Sequence, residues 1–165
     1  MAVADYRFEP MTVEAARLML GWRYAGDYAL YNLEAADAEG LAASLADPAN
    51  RYFAIYDSDE LVGHCVFGAE ARVPGGDYAA DALDFGLGMR PDWTGQGRGT
   101  MIVGRVIDFG RARCGPGPVR ATVAAWNIRS QRAIRKNGLK KVGRFKHALT
   151  GMEFVIFVSR DTEAD

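Results

Sequence analysis

Apolar and polar positions alternate through "VADYRFEPM", which predicts a strand at the start of the chain. Thr12 follows as a helix cap, and Val13, Ala16, Leu18, Met19 and Leu20 supply the apolar faces of a helix to about Tyr24. The pattern is lost in the aromatic stretch "AGDYALYNLEAAD", which reads as a loop. It returns as a short helix near "AEGLAASLAD", stopped by Pro48. "RYFAIYD" and "LVGHCVFG" read as strands joined by the polar turn "SDE", a hairpin. "AEARVPGGDYAAD" is a loop, and "ALDFGLGM" is a central strand. Ile102, Val103, Val106, Ile107 and Phe109 then recur at three- and four-residue steps, giving a helix to about Cys114 that "CGPGP" breaks. "VRATVAAW" is a strand, "NIRSQRAIRKNG" a short basic helix closed by Asn137-Gly138, and two final strands run from about Lys140 and through "GMEFVIFVSR". No linker or internal repeat divides the chain, so 1–165 reads as one domain. The order β-α-α-β-β-β-α-β-α-β-β predicts one mixed α/β sheet with helices on its faces.

The 165 residues suffice for a core without staples, and 49% hydrophobic with 25% charged residues is globular composition. No apolar run could span a bilayer, the N-terminus has no signal-peptide pattern, and the two cysteines have neither metal-ligand spacing nor a disulfide framework. A cytoplasmic protein with no metal is the expectation. Net charge is −1 but uneven: Gly86 to His147 holds fourteen Lys and Arg against two acids, and Met1 to Phe85 five Arg against fifteen acids. Solvated faces explain this blandly; an anion facing the C-terminal half is the sharper reading.

Two glycine patterns need an account. Gly86 and Gly88 lie at i and i+2 of the central strand, so one face there lacks side chains; either a ligand or a tightly packed element accounts for that. Gly95, Gly97 and Gly99 sit where that strand hands over to a helix, a place where backbone amides can seat a phosphate beside Arg98. The string G-x-x-x-x-G-K-[ST] does not occur. "GQGRGT" has Thr100 where a dinucleotide fingerprint needs its third glycine.

Strand "LDFGLGMRP", turn "TGQGRGT" and helix "MIVGRVIDFG", followed by "VRATVAAWNIRSQRAIRKNGLKKVGRF", resemble the central acetyl-CoA motifs of the GNAT superfamily of N-acetyltransferases, in order and in spacing. The wording is most similar to the ribosomal-protein N-terminal (Rim-type) branch. Thr94 departs from the Gln or Arg usual at the first motif position. The resemblance implies a mostly antiparallel sheet splayed at its central strands, with helices on both faces, and acetyl-CoA as acyl-donor cosubstrate. By position, backbone of Leu87 and Met89 would hold the pantetheine arm, Gln96, Gly97, Arg98, Gly99 and Thr100 the pyrophosphate, and the Asn127 side chain the arm again. Asn127 also reads as a helix cap.

The implied reaction is direct acetyl transfer to a primary amine in a ternary complex, on a peptide or protein N-terminus or a small amine. Asp84 is the first candidate base, its alternative being a carboxylate facing solvent. The helical tyrosine that often protonates the leaving thiolate in this superfamily is replaced by Ile134, which leaves Ser130 as a candidate donor. Trp22, Tyr24, Tyr28 and Tyr31, with Glu34, could hold a cationic amine by ring-face and charge attraction. His64 reads as a core or edge residue rather than a base. The partners are then acetyl-CoA and an amine, without nucleic acid or membrane, and a homodimer is admitted. The alternative is a non-catalytic acyl-CoA-binding module; Arg129, Arg132, Arg135 and Lys136 read as the solvent face of their helix.

Overall fold

The computed structural model describes residues 5–33, 36–95 and 97–159. It contains a seven-stranded, mostly antiparallel sheet in the order β1-β2-β3-β4-β5-β7-β6 and four α-helices, in the chain order that the hydrophobic pattern predicts. Two compact units share the chain, Met1–Val66 with Leu87–Thr94, and Phe67–Gly86 with the residues from Gly95 on.

In the first unit, β1 (Tyr6–Pro10) pairs antiparallel with β2 (Tyr52–Asp57), which forms a hairpin with β3 (Glu60–Phe67). Helix α1 spans Val13–Leu20, and its cap is Thr12, whose hydroxyl accepts from the Ala15 amide. It stops short of Tyr24 because the Gly21 amide turns back to the carbonyls of Leu18 and Met19. The aromatic stretch is not wholly irregular, since Gly26–Tyr31 is a 3-10 helix. Helix α2 (Ala38–Ala46) is capped by Asp37, which accepts from the Gly40 amide. Met11, Ala15, Ala16, Met19, Ala42, Leu45, Ala54 and Leu61 form the core, with Trp22 packed partly buried against it. Small residues at 15, 16 and 42 let the two helices lie close.

Strand β4 spans Leu83–Met89, and its part in the second unit runs parallel to β5 (Val119–Ala124), pairing over Leu83, Asp84 and Phe85 with Val119, Arg120 and Ala121. The ladder stops there, although both strands continue. Next to β5, β7 (Glu153–Ser159) runs antiparallel, and β6 (Leu139–Lys146) closes the edge. Helix α3 (Gly99–Cys114) buries Ile102, Val103, Val106 and Ile107, four of the five residues whose spacing predicts it. Helix α4 (Ile128–Lys136) buries Gln131, Ala133 and Ile134. Cys65 is buried and Cys114 exposed. No helix among the described residues is long and apolar enough to cross a membrane, and no group of His, Cys, Asp and Glu among them could hold a metal ion.

Candidate active site

The glycine turn is built as an open end of α3. Helices α1, α2 and α4 begin behind a side-chain cap from Thr12, Asp37 and Asn127, whereas the residue before α3 is Arg98 and no side chain caps that helix. The first amides of a helix lack intrahelical partners and carry the positive end of its dipole. Gly95 and Gly97 hold φ of +72° and +78°, where a side chain would be strained. A Cβ on Gly97 would meet nothing within 4 Å, so the space before the turn is open. Glycine is required here by backbone conformation, not by crowding, and this leaves the amides of Gly97, Arg98, Gly99 and Thr100 accessible to an anion. Gln96 lies outside the described residues.

At the start of α4, Asn127 is buried, and its Oδ1 accepts from the Ser130 amide at 3.1 Å. The cap expected of Asn127 is therefore present. Ser130 is half-buried in the first turn of α4. Ile134, which stands where a proton-donating tyrosine is usual, is 2% exposed and belongs to the core. Arg129 is exposed, as its reading as solvent face predicts, and it also leans on the turn: its Nη1 is 3.3 Å from where a Cβ of Gly95 would lie.

Asp84 is neither at a solvent edge nor unpartnered. Its carboxylate, 2% exposed, takes Arg120 Nε at 2.6 Å and Nη2 at 2.8 Å, and Arg72 Nε at 2.9 Å. Arg120, also 2% exposed, donates further to the Ala80 carbonyl and lies 5.0 Å from the Tyr78 ring centre. The hydrogen bond that Arg120 donates to Asp84 is the main reason the Arg120 pKa is raised above its ordinary value. Tyr78 Oη in turn meets Thr122 Oγ1 and accepts from the Val73 amide. Both carboxylate oxygens are thus held by guanidinium groups, and a base role would have to be exercised from inside an ion pair.

In the first unit, the Arg90 amide donates to the Val62 carbonyl at 2.8 Å. Backbone groups alternate along a strand, so those of Leu87 and Met89 point to the other edge of β4. It is along this edge that the resemblance expects a pantetheine arm. One of them is already engaged, because the Tyr24 hydroxyl donates to the Met89 carbonyl at 2.5 Å. Burial, helped by the neighbouring Tyr31, raises the Tyr24 pKa to about 12 and keeps it a donor. Asn32 fixes Tyr24 from behind, accepting from its amide and donating to its carbonyl. Tyr31 lies 6.2 Å from Tyr24 and 6.4 Å from Tyr28, centre to centre, and is 41% exposed. Trp22, Tyr24, Tyr28 and Tyr31 therefore stay in one unit; Glu34 lies outside the described residues.

The bare face expected at Gly88 is filled. A Cβ there would come within 2.4 Å of His64 Nε2, so the glycine makes room for an imidazole. The ring also lies 6.5 Å from Trp22, and its Nδ1 is enclosed without a hydrogen-bond partner among the described residues. Burial pushes the His64 pKa down to about 4. The unfolded chain binds this proton near pH 6.5, so the stabilisation is complete above that value and is lost as pH falls toward 4. His64→Gln should lose less stability between pH 6.5 and 4 than the parent, by at most about 3 kcal/mol, in denaturant titrations at each pH.

Residues 8–140 match the acetyltransferase (GNAT) domain family. The chain belongs to this family. It is an acetyl-CoA-dependent N-acetyltransferase. The GNAT fold recurs in a spermidine N-acetyltransferase SpeG chimera from Vibrio cholerae and hSSAT, with 16% identity, 93% of this chain and 94% of the other covered, and a TM-score of 0.71. AAC(6')-Ib in complex with ribostamycin and coenzyme A is similar at 13% identity, 94% and 93% coverage, and a TM-score of 0.74. The ribosomal-protein-S5-alanine acetyltransferase from Vibrio fischeri aligns at 14% identity, 100% and 98% coverage, and a TM-score of 0.65. At these identities the likeness is one of fold, and the Rim-type branch is one of several GNAT branches represented. No curated protein matches the sequence.

Proposed function

We propose that this chain transfers the acetyl group of acetyl-CoA directly to a positively charged primary amine in a ternary complex. The observation that carries the cosubstrate assignment is the uncapped start of α3 behind a left-handed glycine turn, open at Gly97. Amides of Gln96 to Thr100 would hold the pyrophosphate, backbone of Leu87 and Met89 the pantetheine arm, and the Asn127 amide group the arm again. Acetyl-CoA supplies the activated thioester. Backbone amides would polarise its carbonyl. The amine, once it has given its ammonium proton to water, attacks the carbonyl carbon with its lone pair, and the C–S bond breaks. A second proton leaves the nitrogen to water, and the departing thiolate takes a proton for which Ser130 is the candidate from α4. Asp84 stands outside this scheme as an ion-pair residue.

The acceptor assignment rests on Trp22, Tyr24, Tyr28 and Tyr31, a run of rings suited to an ammonium group, with Glu34 adding charge. Names of structural neighbours, spermidine and ribosomal-protein alanine among them, fit amine acceptors. Release of CoA thiol should be measured with spermidine, with ribostamycin and with a peptide carrying an N-terminal alanine. Turnover with at least one, abolished by acetylating its amine beforehand, is the expected result. Equal background release with all three would overturn the acceptor class.

A further inference from the structure

We infer that Arg129 is a phosphate-binding residue of the acyl-donor site, contacting the pyrophosphate at the glycine turn; this rests on the reading of the turn given above. Three contacts at four-residue spacing fix the position of this arginine. Arg129 Nη1 lies 3.3 Å from the Cβ position of Gly95, the Ala133 methyl 3.7 Å from that of Gly99, and Asn137 Oδ1 2.9 Å from that of Gly104. Asn137 Nδ2 also donates to the Thr100 carbonyl at 2.9 Å. Residues 129, 133 and 137 form one face of α4 and its cap, laid along the turn and the first turns of α3. Arg129 is therefore delivered to the turn by its helix. A neighbouring arginine of the same helix goes elsewhere, with Arg135 5.2 Å from the Phe157 ring centre.

The local charge suits the assignment. Neither α3 nor α4 has an acidic residue in its first turn. An anion held by the amides of residues 97–100 would meet a planar guanidinium able to donate two parallel hydrogen bonds, which lysine cannot match. Gly95, against which the guanidinium rests, belongs to the same loop as those amides, and this favours the pyrophosphate over the more distant 3′-phosphate of the donor.

The test compares acetyl-CoA with its 3′-dephospho form by calorimetry, using Arg129→Gln, Arg129→Lys and, as a control on the same helix, Arg132→Gln. Arg129→Gln should weaken both donors by the same factor, roughly ten- to a hundredfold. Arg129→Lys should fall between it and the parent, and Arg132→Gln should bind as the parent does. Affinity within twofold of the parent in Arg129→Gln, or a loss confined to the donor with its 3′-phosphate, would overturn the assignment. A parent protein that binds neither donor would overturn the reading of the turn itself. Thermal unfolding of each variant separates lost binding from lost fold.

Discussion

Replacing Asp84 by Asn is expected to remove about 3–5 kcal/mol of folding stability, the loss measured when one partner of a buried ion pair is taken away. Arg72 is 44% exposed and can turn to water, but Arg120, 2% exposed, has nowhere to take its charge. The melting temperature should fall by on the order of 10 °C in a chain of this size. Replacing Asp84 and Arg120 together, by Leu and Met, should recover much of the loss, because two apolar groups leave no stranded charge. The pH dependence of kcat/KM, measured on the folded fraction of Asp84→Asn, should keep its shape. A variant that stays stable but loses the acidic limb of that profile would make Asp84 the base after all.

Gly97→Ala should have the opposite signature. The added methyl meets no neighbour within 4 Å, and the positive φ costs about 1 kcal/mol of strain. Fold stability should therefore change little. The methyl would project into the space that an anion must enter, and losing one or two charge-assisted hydrogen bonds there costs about 1.5–3 kcal/mol each. KM for acetyl-CoA should rise by roughly a hundredfold, with a smaller effect on KM for the amine. An unchanged KM for acetyl-CoA would mean that the turn is only a turn.

The two substitutions mark the limits of what the chain's pattern discloses. The turn at Gly97 was legible because its conformation is local: a glycine between a strand and a helix, with no cap behind it, announces bare amides. The order of seven strands and four helices was legible for the same reason, since periods of two and of 3.6 are properties of short segments. Asp84 and Arg120 were not. They are 36 residues apart and meet because β4 and β5 pair in parallel with Asp84 opposite Arg120, a register that neither segment encodes alone. Tyr24 and the Met89 carbonyl, 65 residues apart, escaped detection likewise. Arg129 is exposed, as its helical spacing with the neighbouring basic residues predicts, but periodicity does not say that its guanidinium also lies against the turn. The bare face at Gly88 was visible; the imidazole that fills it came from another strand.

Helix α3 is the longest among the described residues, and none of their side chains caps its start. With the acyl donor seated there, the missing cap arrives from outside, and the helix is completed by the molecule that is about to be consumed. Folding and cosubstrate supply are then linked by mass action. A donor at a hundredfold excess over its dissociation constant adds about 2.7 kcal/mol to the folded state. The persistence of the enzyme against unfolding and proteolysis would track the acetyl-CoA pool, so a chain starved of its donor is also the one most readily cleared.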